Sequence, residues 1–479
     1  LGTPMVVVLN DNGMSIAPNV GALSRYFNRL RLNPKLWRAR EGVEEGLTKL
    51  PAGIGERFAH LGPQLKESIK AFWAPGLFWE ELDWAYMGVI DGHDISALRE
   101  ALREAIAAER PVVVHVATVK GKGFPPAEEG GLEGMEKWHA AKPKSIANGM
   151  PAAKPTAGGA PKPPSYTEVF GNALVAECRR DERIIGITAA MNTGTGLNIL
   201  QKAMPERYFD VGIAEQQAVL FASGLALQGC KPVAAIYSTF LQRAFDQIVH
   251  DVCLQRLNVV FAMDRAGLVG DDGPTHHGAF DIAYLRPLPH IVLMAPRDEA
   301  QLVHMLHTAL RYDDGPIALR YPRGEGVGVP LPDVPREIPI GVGEILRDGD
   351  GKVALLGYGT GVGKALEAAA VLAEHGIKAT VADARFAKPL DTGLIAQLHA
   401  EHELLVTVEE GVLAGGFGSG VLEHLSDTGR SSRVLRVGLP DRFVTHGAPA
   451  LLHEEVGFTG RAIAERVLTA IGARAEVAG

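Results

Sequence analysis

Short apolar strands alternate with amphipathic helices from Tyr166 to the end of the chain, and this alternation constrains the fold more than any other feature. The helix-like segment TEVFGNALVAECRR leads into the strand-like IIGIT. Later, the helix-like TFLQRAFDQIVHDVCLQR (residues 239–256) leads into NVVFAMD, and EAQLVHMLHTALR (residues 299–311) leads into PIALRYP. Strands joined through helices pair in parallel and are covered on both faces. The sequence therefore predicts an α/β fold of parallel sheets flanked by helices, with ligands bound beyond the carboxyl ends of the strands.

Composition divides the chain into three predicted domains. Residues 141–165 are rich in Pro, Ala, Gly and Lys and can bury little apolar surface, so we predict a linker there. The alternation occupies residues 166–330 and starts again at residues 341–479. A chain of 479 residues is too long for one core, and about 150 residues per domain agrees with three domains.

The first domain, residues 1–140, is predicted to be incomplete. It opens on an apolar run, MVVVL, which is typical of a strand buried on both faces of a parallel sheet. Tyr86–Asp91 and Pro111–Thr118 are predicted strands, and Ile95–Glu109 is a predicted helix between them, which together make one βαβ unit. These segments supply too few neighbours for a buried strand. We therefore expect a fragment of a longer protein, or a subunit whose other half is separate.

Charge and cysteine content argue against several classes of function. Lys and Arg number 48 against 56 Asp and Glu, and a nucleic-acid surface needs clustered positive charge. The three cysteines are widely spaced without a CxxC motif, so neither a disulfide framework nor a zinc site is predicted. No apolar run approaches the ~20 residues of a membrane-spanning helix. We expect a cytoplasmic protein that acts on small molecules and binds neither nucleic acid nor membrane.

Polar side chains follow four predicted strands of the middle domain at their carboxyl ends. The sites are Glu215, Tyr237–Arg243, Asp264–His277 and Arg323. A single Glu at a helix N-terminus usually interacts with the helix dipole, and a lone Arg or His is usually structural. Because carboxyl ends of parallel strands meet at one edge of a sheet, however, these side chains can converge on one crevice.

These segments resemble the middle domain of the 1-deoxy-D-xylulose-5-phosphate synthase family, within the transketolase superfamily. The motifs IAEQ, IYSTFLQRAFDQ, DRAGLVGDDGPTHHGAFD and RYPRG occur in the order and spacing of that family. Asn10–Ile16 is similar to the second half of its cofactor–metal motif, and ADARFAKPLD and VEEGVLAGGFGSGVLEHL resemble its third domain. The resemblance covers nearly the whole chain and implies a transketolase-like fold.

The resemblance also implies a reaction and its cofactors. Pyruvate would be condensed with D-glyceraldehyde 3-phosphate, with decarboxylation, to give 1-deoxy-D-xylulose 5-phosphate, a precursor of isoprenoids and thiamine. The enzyme would be a transferase that uses thiamine diphosphate as electron sink and Mg²⁺ to bind its diphosphate. A homodimer is the implied assembly, and a separate N-terminal half is a further candidate partner.

Individual roles follow from the same resemblance. The implied catalytic groups are Glu215, which would hydrogen-bond the cofactor aminopyrimidine, and the proton carriers His139 and His276. The implied cofactor-binding residues are Asn12, Lys120, Phe124, Glu215 and Phe240, with Asn12 and the Met14 carbonyl as magnesium ligands. The implied substrate-binding residues are Tyr237, Arg243, Arg265 and Arg323 for the phosphate and Asp272 for a sugar hydroxyl.

The chain also departs from the family pattern. The GDG half of the metal motif does not precede Asn12, and Gln217, Gly13 and Phe124 replace the usual His, Glu and Tyr. We therefore expect this polypeptide alone to bind magnesium thiamine diphosphate poorly. Two alternatives stay open at this stage: another enzyme of the transketolase superfamily, and a non-catalytic partner subunit that lacks the GDG half of the cofactor site.

Overall fold

A computed structural model describes residues 4–12, 77–80, 82–129, 138, 162–430 and 433–472. The chain forms two compact units, Leu1–Gly158 and Gly159–Gly479. Met14, His139 and most of the predicted linker 141–165 lie outside the described residues.

In the described residues of the first unit, three parallel strands form a sheet with the order β1-β3-β2. These strands are β1 Val6–Asp11, β2 Ala85–Asp91 and β3 Val112–Ala117, and the described helices are α1 Leu77–Glu80, α2 Ile95–Ala107 and α3 Pro125–Glu128. Helix α2 begins after Asp94, whose carboxylate accepts hydrogen bonds from two backbone N–H groups of the first turn. The predicted βαβ unit is therefore confirmed as β2, α2 and β3.

Strand β1 is parallel, but the prediction that it is buried on both faces is wrong within the described residues. There it pairs with β3 alone, and Val7 and Val8 are 37% and 49% exposed. The buried central strand is β3, where Val112 and Val114 are almost completely inaccessible. Both strands are rich in valine, so composition alone could not distinguish the edge from the centre.

The second unit holds the remaining elements. Its strands are β4 Ile184–Thr188, β5 Tyr208–Asp210, β6 Lys231–Tyr237, β7 Val260–Ala266, β8 Val292–Met294, β9 Ile317–Pro322, β10 Glu344–Arg347, β11 Val353–Tyr358, β12 Thr380–Asp383, β13 Phe386–Lys388, β14 Leu404–Val412 and β15 Val434–Leu439. Its α-helices are α4 Tyr166–Arg180, α5 Leu197–Ala203, α6 Glu215–Leu227, α7 Ser238–Leu241, α8 Phe245–Gln247, α9 Asp281–Leu285, α10 Glu299–Arg311, α11 Gly361–Glu374, α12 Thr392–Glu401, α13 Phe417–Asp427, α14 Pro449–Glu455 and α15 Gly460–Ala470. The described part of this unit also contains two 3₁₀ turns, Pro205–Arg207 and Gln242–Ala244, and one π-helix, Ile248–Cys253.

Two sheets organise these elements. The larger has seven strands in the order β13-β8-β9-β7-β6-β4-β5, and the smaller has five in the order β10-β12-β11-β14-β15. Both are parallel apart from one strand each, because β13 pairs antiparallel with β8 and β10 antiparallel with β12. The α/β prediction is confirmed, whereas the two antiparallel strands were not predicted.

Strand β13 connects the two sheets. It belongs to the part of the chain that builds the five-stranded sheet, yet it forms the edge of the seven-stranded one, with Phe386 opposite Met294. The middle and C-terminal segments therefore share a ladder of backbone hydrogen bonds in addition to side-chain packing.

Both faces of the seven-stranded sheet are buried. On β6, Ala234 and Ile236 pack into one core, and Val233 and Ala235 pack into the other. Successive residues of a strand point to opposite faces, so helices on either side cover both. Ligands therefore have access only at the ends of the strands.

One predicted helix is irregular. Residues 239–256 have the pattern of a continuous helix, but the structure divides them among α7, a 3₁₀ turn, α8 and a π-helix. The buried residues Leu241, Ala244, Ile248 and Val252 keep spacings of three or four. Apolar periodicity is preserved when the backbone hydrogen-bond pattern changes locally, so the sequence pattern did not reveal the breaks.

Candidate active site

The candidate site lies at the carboxyl edge of the seven-stranded sheet, where Glu215 begins α6. The residue is 3% exposed, and its carboxylate lies 3.5 Å from Nη1 of Arg243. Within the described residues no hydrogen-bond donor reaches the carboxylate. Glu215 is the first residue of α6 and therefore lies at the positive end of the helix dipole. Glu215 is therefore a buried acceptor whose remaining capacity is available to a ligand.

Arg243 lies in the 3₁₀ turn that interrupts the predicted helix, and its side chain is exposed. Its guanidinium carbon is 5.8 Å from the centroid of the Phe240 ring. The break in the helix thus brings an exposed cation beside both Glu215 and an aromatic ring.

Four side chains form a continuous row beside Arg243. The rings of Tyr237 and Phe240 are stacked with their centroids 5.7 Å apart, and the imidazole of His276 meets Phe240 edge-on at 5.1 Å. At the other end the guanidinium carbon of Arg265 lies 3.9 Å from the centre of the Tyr237 ring. Burial raises the pKa of Tyr237, although Arg265 opposes this, so the phenol keeps its proton at neutral pH.

Arg265 is bound by protein groups. Nη1 donates to the carbonyl of Gly194 and lies 2.9 Å from Oδ1 of Asp264. Asp264 is completely buried and accepts a hydrogen bond from the Thr167 hydroxyl at 2.7 Å. Burial raises the pKa of Asp264 to about 6, although Arg265 and Thr167 lower it. These contacts fit a residue that orients the Tyr237 ring, and the predicted substrate-binding role of Arg265 stays a prediction.

Asp272, on the loop between β7 and α9, forms an ion pair with Arg323, which follows β9. Nη1 of Arg323 contacts Oδ2 of Asp272 at 2.5 Å and also donates to the carbonyl of Val269 at 3.0 Å. Both side chains are partly exposed. Two predicted substrate-binding residues therefore lie together and remain accessible.

In the first unit, Asn12 directly follows β1, and Lys120 and Phe124 follow β3. The backbone N–H of Thr118 donates to the carbonyl of Asp11 at 2.9 Å, so both segments leave the sheet at the same edge. Phe124 packs edge-to-face against Trp138, with their centroids 5.1 Å apart. The three predicted cofactor residues of this unit therefore share its carboxyl edge.

Sequence reasoning missed Gly194, which shapes the position of Tyr237. A Cβ atom on Gly194 would lie 1.6 Å from the Tyr237 hydroxyl oxygen, so only glycine fits beside the ring. The glycine-rich segment NTGTG after β4 was an available signal, because glycines beyond the carboxyl end of a strand often allow close approach of other groups.

Comparison with known proteins gives a consistent set of matches. Residues 162–327 match the family described as "Transketolase, pyrimidine binding domain", residues 341–463 "Transketolase, C-terminal domain", and residues 1–118 "1-deoxy-D-xylulose-5-phosphate synthase". The chain is 52% identical over 478 residues to the 1-deoxy-D-xylulose-5-phosphate synthase of Synechococcus sp. (strain JA-2-3B'a(2-13)), and 53% identical over 468 residues to that of Thermomicrobium roseum. Each alignment covers 98% of this chain and 72% of the relative.

Two solved structures are also similar. A split gene transketolase, described as an inactive beta4 tetramer, is 33% identical with a TM-score of 0.58, over 65% of this chain and 99% of that one. A transketolase mutant from Pichia stipitis is 17% identical with a TM-score of 0.54, over 86% of this chain and 69% of that one. The second likeness concerns the fold alone.

Proposed function

Because the chain belongs to the 1-deoxy-D-xylulose-5-phosphate synthase family, we infer that it condenses pyruvate with D-glyceraldehyde 3-phosphate, with loss of CO₂, to give 1-deoxy-D-xylulose 5-phosphate. The main support for this inference is about 52% identity to a curated synthase over 98% of the chain. The activity is that of a transketolase-type transferase, and its product serves isoprenoid and thiamine biosynthesis. A different superfamily member and a non-catalytic partner are not favoured by this level of identity.

The residues around Glu215 fit the pyrimidine part of thiamine diphosphate, the cofactor that the family implies. A buried carboxylate without a hydrogen bond from the described residues is suited to accept a hydrogen bond from an N–H group of a ligand. We propose that Glu215 shares a proton with the pyrimidine nitrogen and that Phe240 packs against the ring. When bound, the cofactor supplies the electron sink for decarboxylation.

We propose that Mg²⁺ binds the diphosphate with Asn12 and the Met14 carbonyl as protein ligands, and that Lys120 and Phe124 also contact the cofactor. Oxygen donors suit this small cation. No cluster of three or more His, Cys, Asp or Glu side chains that could bind a metal ion occurs in the described ranges.

For the substrate, we propose that Arg243, Arg323 and Tyr237 bind the phosphate, with Arg265 as a further candidate. Two exposed guanidinium groups support this, because their planar donors match phosphate oxygens. Asp272 would accept a hydrogen bond from a sugar hydroxyl, and His276, together with His139, would carry protons.

The domain division also stays a proposal: residues 1–140 for the diphosphate and magnesium, 166–330 for the pyrimidine, and 341–479 as the C-terminal domain. The break between the two compact units, at residues 158 and 159, falls within the predicted linker 141–165 and supports the first boundary.

We propose a cytoplasmic homodimer. Large apolar side chains are exposed on and before α6, namely Phe209, Ile213, Leu220 and Leu227, and a second copy of the chain would cover them. No helix in the described ranges is long and apolar enough to cross a membrane. A separate N-terminal half stays a candidate partner, for which the split gene transketolase is a precedent.

The direct test supplies the enzyme that contains this chain with pyruvate, D-glyceraldehyde 3-phosphate, thiamine diphosphate and Mg²⁺. CO₂ and a product with the mass of 1-deoxy-D-xylulose 5-phosphate should form in equal amounts. If pyruvate gave no product while a ketose phosphate donor did, a transketolase would replace the proposed function.

A further inference from the structure

The loop Gly267–Gly278, named here the 267–278 loop, carries Asp272 and His276. Its ends are joined by two hydrogen bonds between Gly267 and Gly278, each 2.8 Å long. Gly267, Gly270 and Gly273 all have positive φ, between 74° and 88°. Such a loop has many accessible backbone conformations, so neighbouring groups must select one.

Glu410, on β14, is the first of these neighbours. Its buried carboxylate accepts hydrogen bonds from the Leu268 N–H at 2.9 Å, the His453 Nε2 at 2.9 Å and the Thr360 hydroxyl at 2.6 Å. Burial raises its pKa, but these hydrogen bonds and the His453 charge outweigh burial, so the pKa lies below its usual value. One ionised group of the C-terminal segment thus fixes the start of the loop.

His277 fixes the other end. Nδ1 accepts a hydrogen bond from the Val269 N–H at 3.1 Å, so this ring, which is buried, carries a proton on Nε2 and donates it to the Thr445 carbonyl at 3.2 Å. Close packing reinforces the contact, because a Cβ on Gly273 would lie only 3.1 Å from Cβ of His446. The C-terminal segment therefore touches the loop at several points.

We propose that Glu410 and His277 are positioning residues for substrate recognition: they anchor the 267–278 loop to the C-terminal segment and so place Asp272 and His276 at the active site. The inference rests on the proposed function for the meaning of those two side chains. The anchoring itself can be tested without turnover.

The adjacent Glu409 provides a matched control. It is completely buried, like Glu410, and its carboxylate accepts hydrogen bonds from the N–H groups of Phe417 at 2.6 Å and Gly418 at 2.7 Å. Phe417 and Gly418 are the first two residues of α13, within the C-terminal segment. Glu409→Gln therefore changes a buried carboxyl group on the same β-strand without removing a contact to the loop.

Hydrogen–deuterium exchange measures the anchoring in the enzyme that contains this chain. In Glu410→Gln, the amides of Leu268 and Val269 should exchange at least about tenfold faster than in the parent, since a charge-assisted hydrogen bond is lost. Glu409→Gln should leave them unchanged, whatever its effect on melting temperature. Unchanged loop exchange in Glu410→Gln would overturn the inference. Should that variant not fold, His453→Leu removes one donor to the same carboxylate and should accelerate exchange of the same amides.

Kinetics separate this inference from the proposed function. Glu410→Gln should raise KM for D-glyceraldehyde 3-phosphate about tenfold and leave KM for pyruvate within twofold, and Asp272→Asn should act in the same direction. A raised KM in Asp272→Asn but not in Glu410→Gln would overturn positioning by Glu410. No change in either variant, with loop exchange accelerated in Glu410→Gln, would instead remove the substrate role proposed for Asp272.

Discussion

Gly194→Ala places a methyl group where the hydroxyl of Tyr237 now lies. The new Cβ would be 1.6 Å from the hydroxyl oxygen and 2.6 Å from the ring carbon that bears it, and Cβ contacts shorter than 3.0 Å essentially never occur. The hydroxyl must therefore move by about 1.8 Å to reach ordinary van der Waals separation.

The ring cannot make this movement without loss. Arg265 covers one face at 3.9 Å, and Phe240 is stacked against Tyr237 at 5.7 Å. Overpacking of a tightly packed site typically costs about 1–3 kcal/mol. Since about 1.4 kcal/mol corresponds to a factor of ten, KM for D-glyceraldehyde 3-phosphate should rise roughly 5- to 100-fold if Tyr237 binds that substrate.

The assay combines steady-state kinetics for both substrates with thermal melting, in the enzyme that contains this chain. Gly363→Ala is the matched control, because a Cβ there meets nothing within 4 Å on an exposed face of α11. It should leave both KM values unchanged and stabilise the helix by up to about 1 kcal/mol. A folded Gly194→Ala variant whose KM for the aldehyde stays within twofold of the parent would refute the reasoning.

Three further predictions address other groups of the site. Glu215→Gln should reduce kcat by ~10²–10⁴-fold with an unchanged melting temperature, because an amide cannot share a proton with the pyrimidine; near-parent turnover would leave Glu215 as a helix-end carboxylate. Arg243→Ala or Arg323→Ala should raise KM for the phosphorylated aldehyde by roughly ten- to hundredfold and leave KM for pyruvate unchanged. The control is Arg183, an exposed residue just before the amino end of β4, and Arg183→Ala should change neither KM value. The pKa of Asp264 is raised from 3.8 to about 6, so the folded state binds the Asp264 proton more tightly than the unfolded state, and this stabilises the fold by roughly 3 kcal/mol at low pH. The stabilisation should be lost as the pH rises from about 4 to about 6. Asp264→Asn should remove that part of the pH dependence, and identical profiles of melting temperature against pH for the two proteins would contradict the shift.

The sequence predicted those elements whose burial pattern is strong. Helix α10 was predicted with its observed bounds, because its apolar residues recur at helical spacing beside a buried strand. Strand β13 was missed, since three residues are too few for a periodic pattern and its partner β8 is distant in the sequence.

The candidate site was predictable to the extent that parallel-sheet topology dictates it. Glu215, Phe240 and His276 follow different strands and meet at one edge, as the topology requires. The contacts of Gly194 with Tyr237 and of Leu268 with Glu410 depend on tertiary packing between segments far apart in the chain. No local pattern encodes such contacts, so only the structure identified them.

The pairing of β13 with β8 has a consequence for biosynthesis. Ribosomes release the amino end first, so β8 emerges well before Phe386–Lys388 is available to cover it. Until then the nascent sheet presents a row of unpaired N–H and C=O groups, which other chains can join. The strand at the other edge, β5, is only three residues long, like β8. Completion of the C-terminal segment thus pairs the edge at β8, and a polypeptide that stops before Phe386 leaves that edge unpaired.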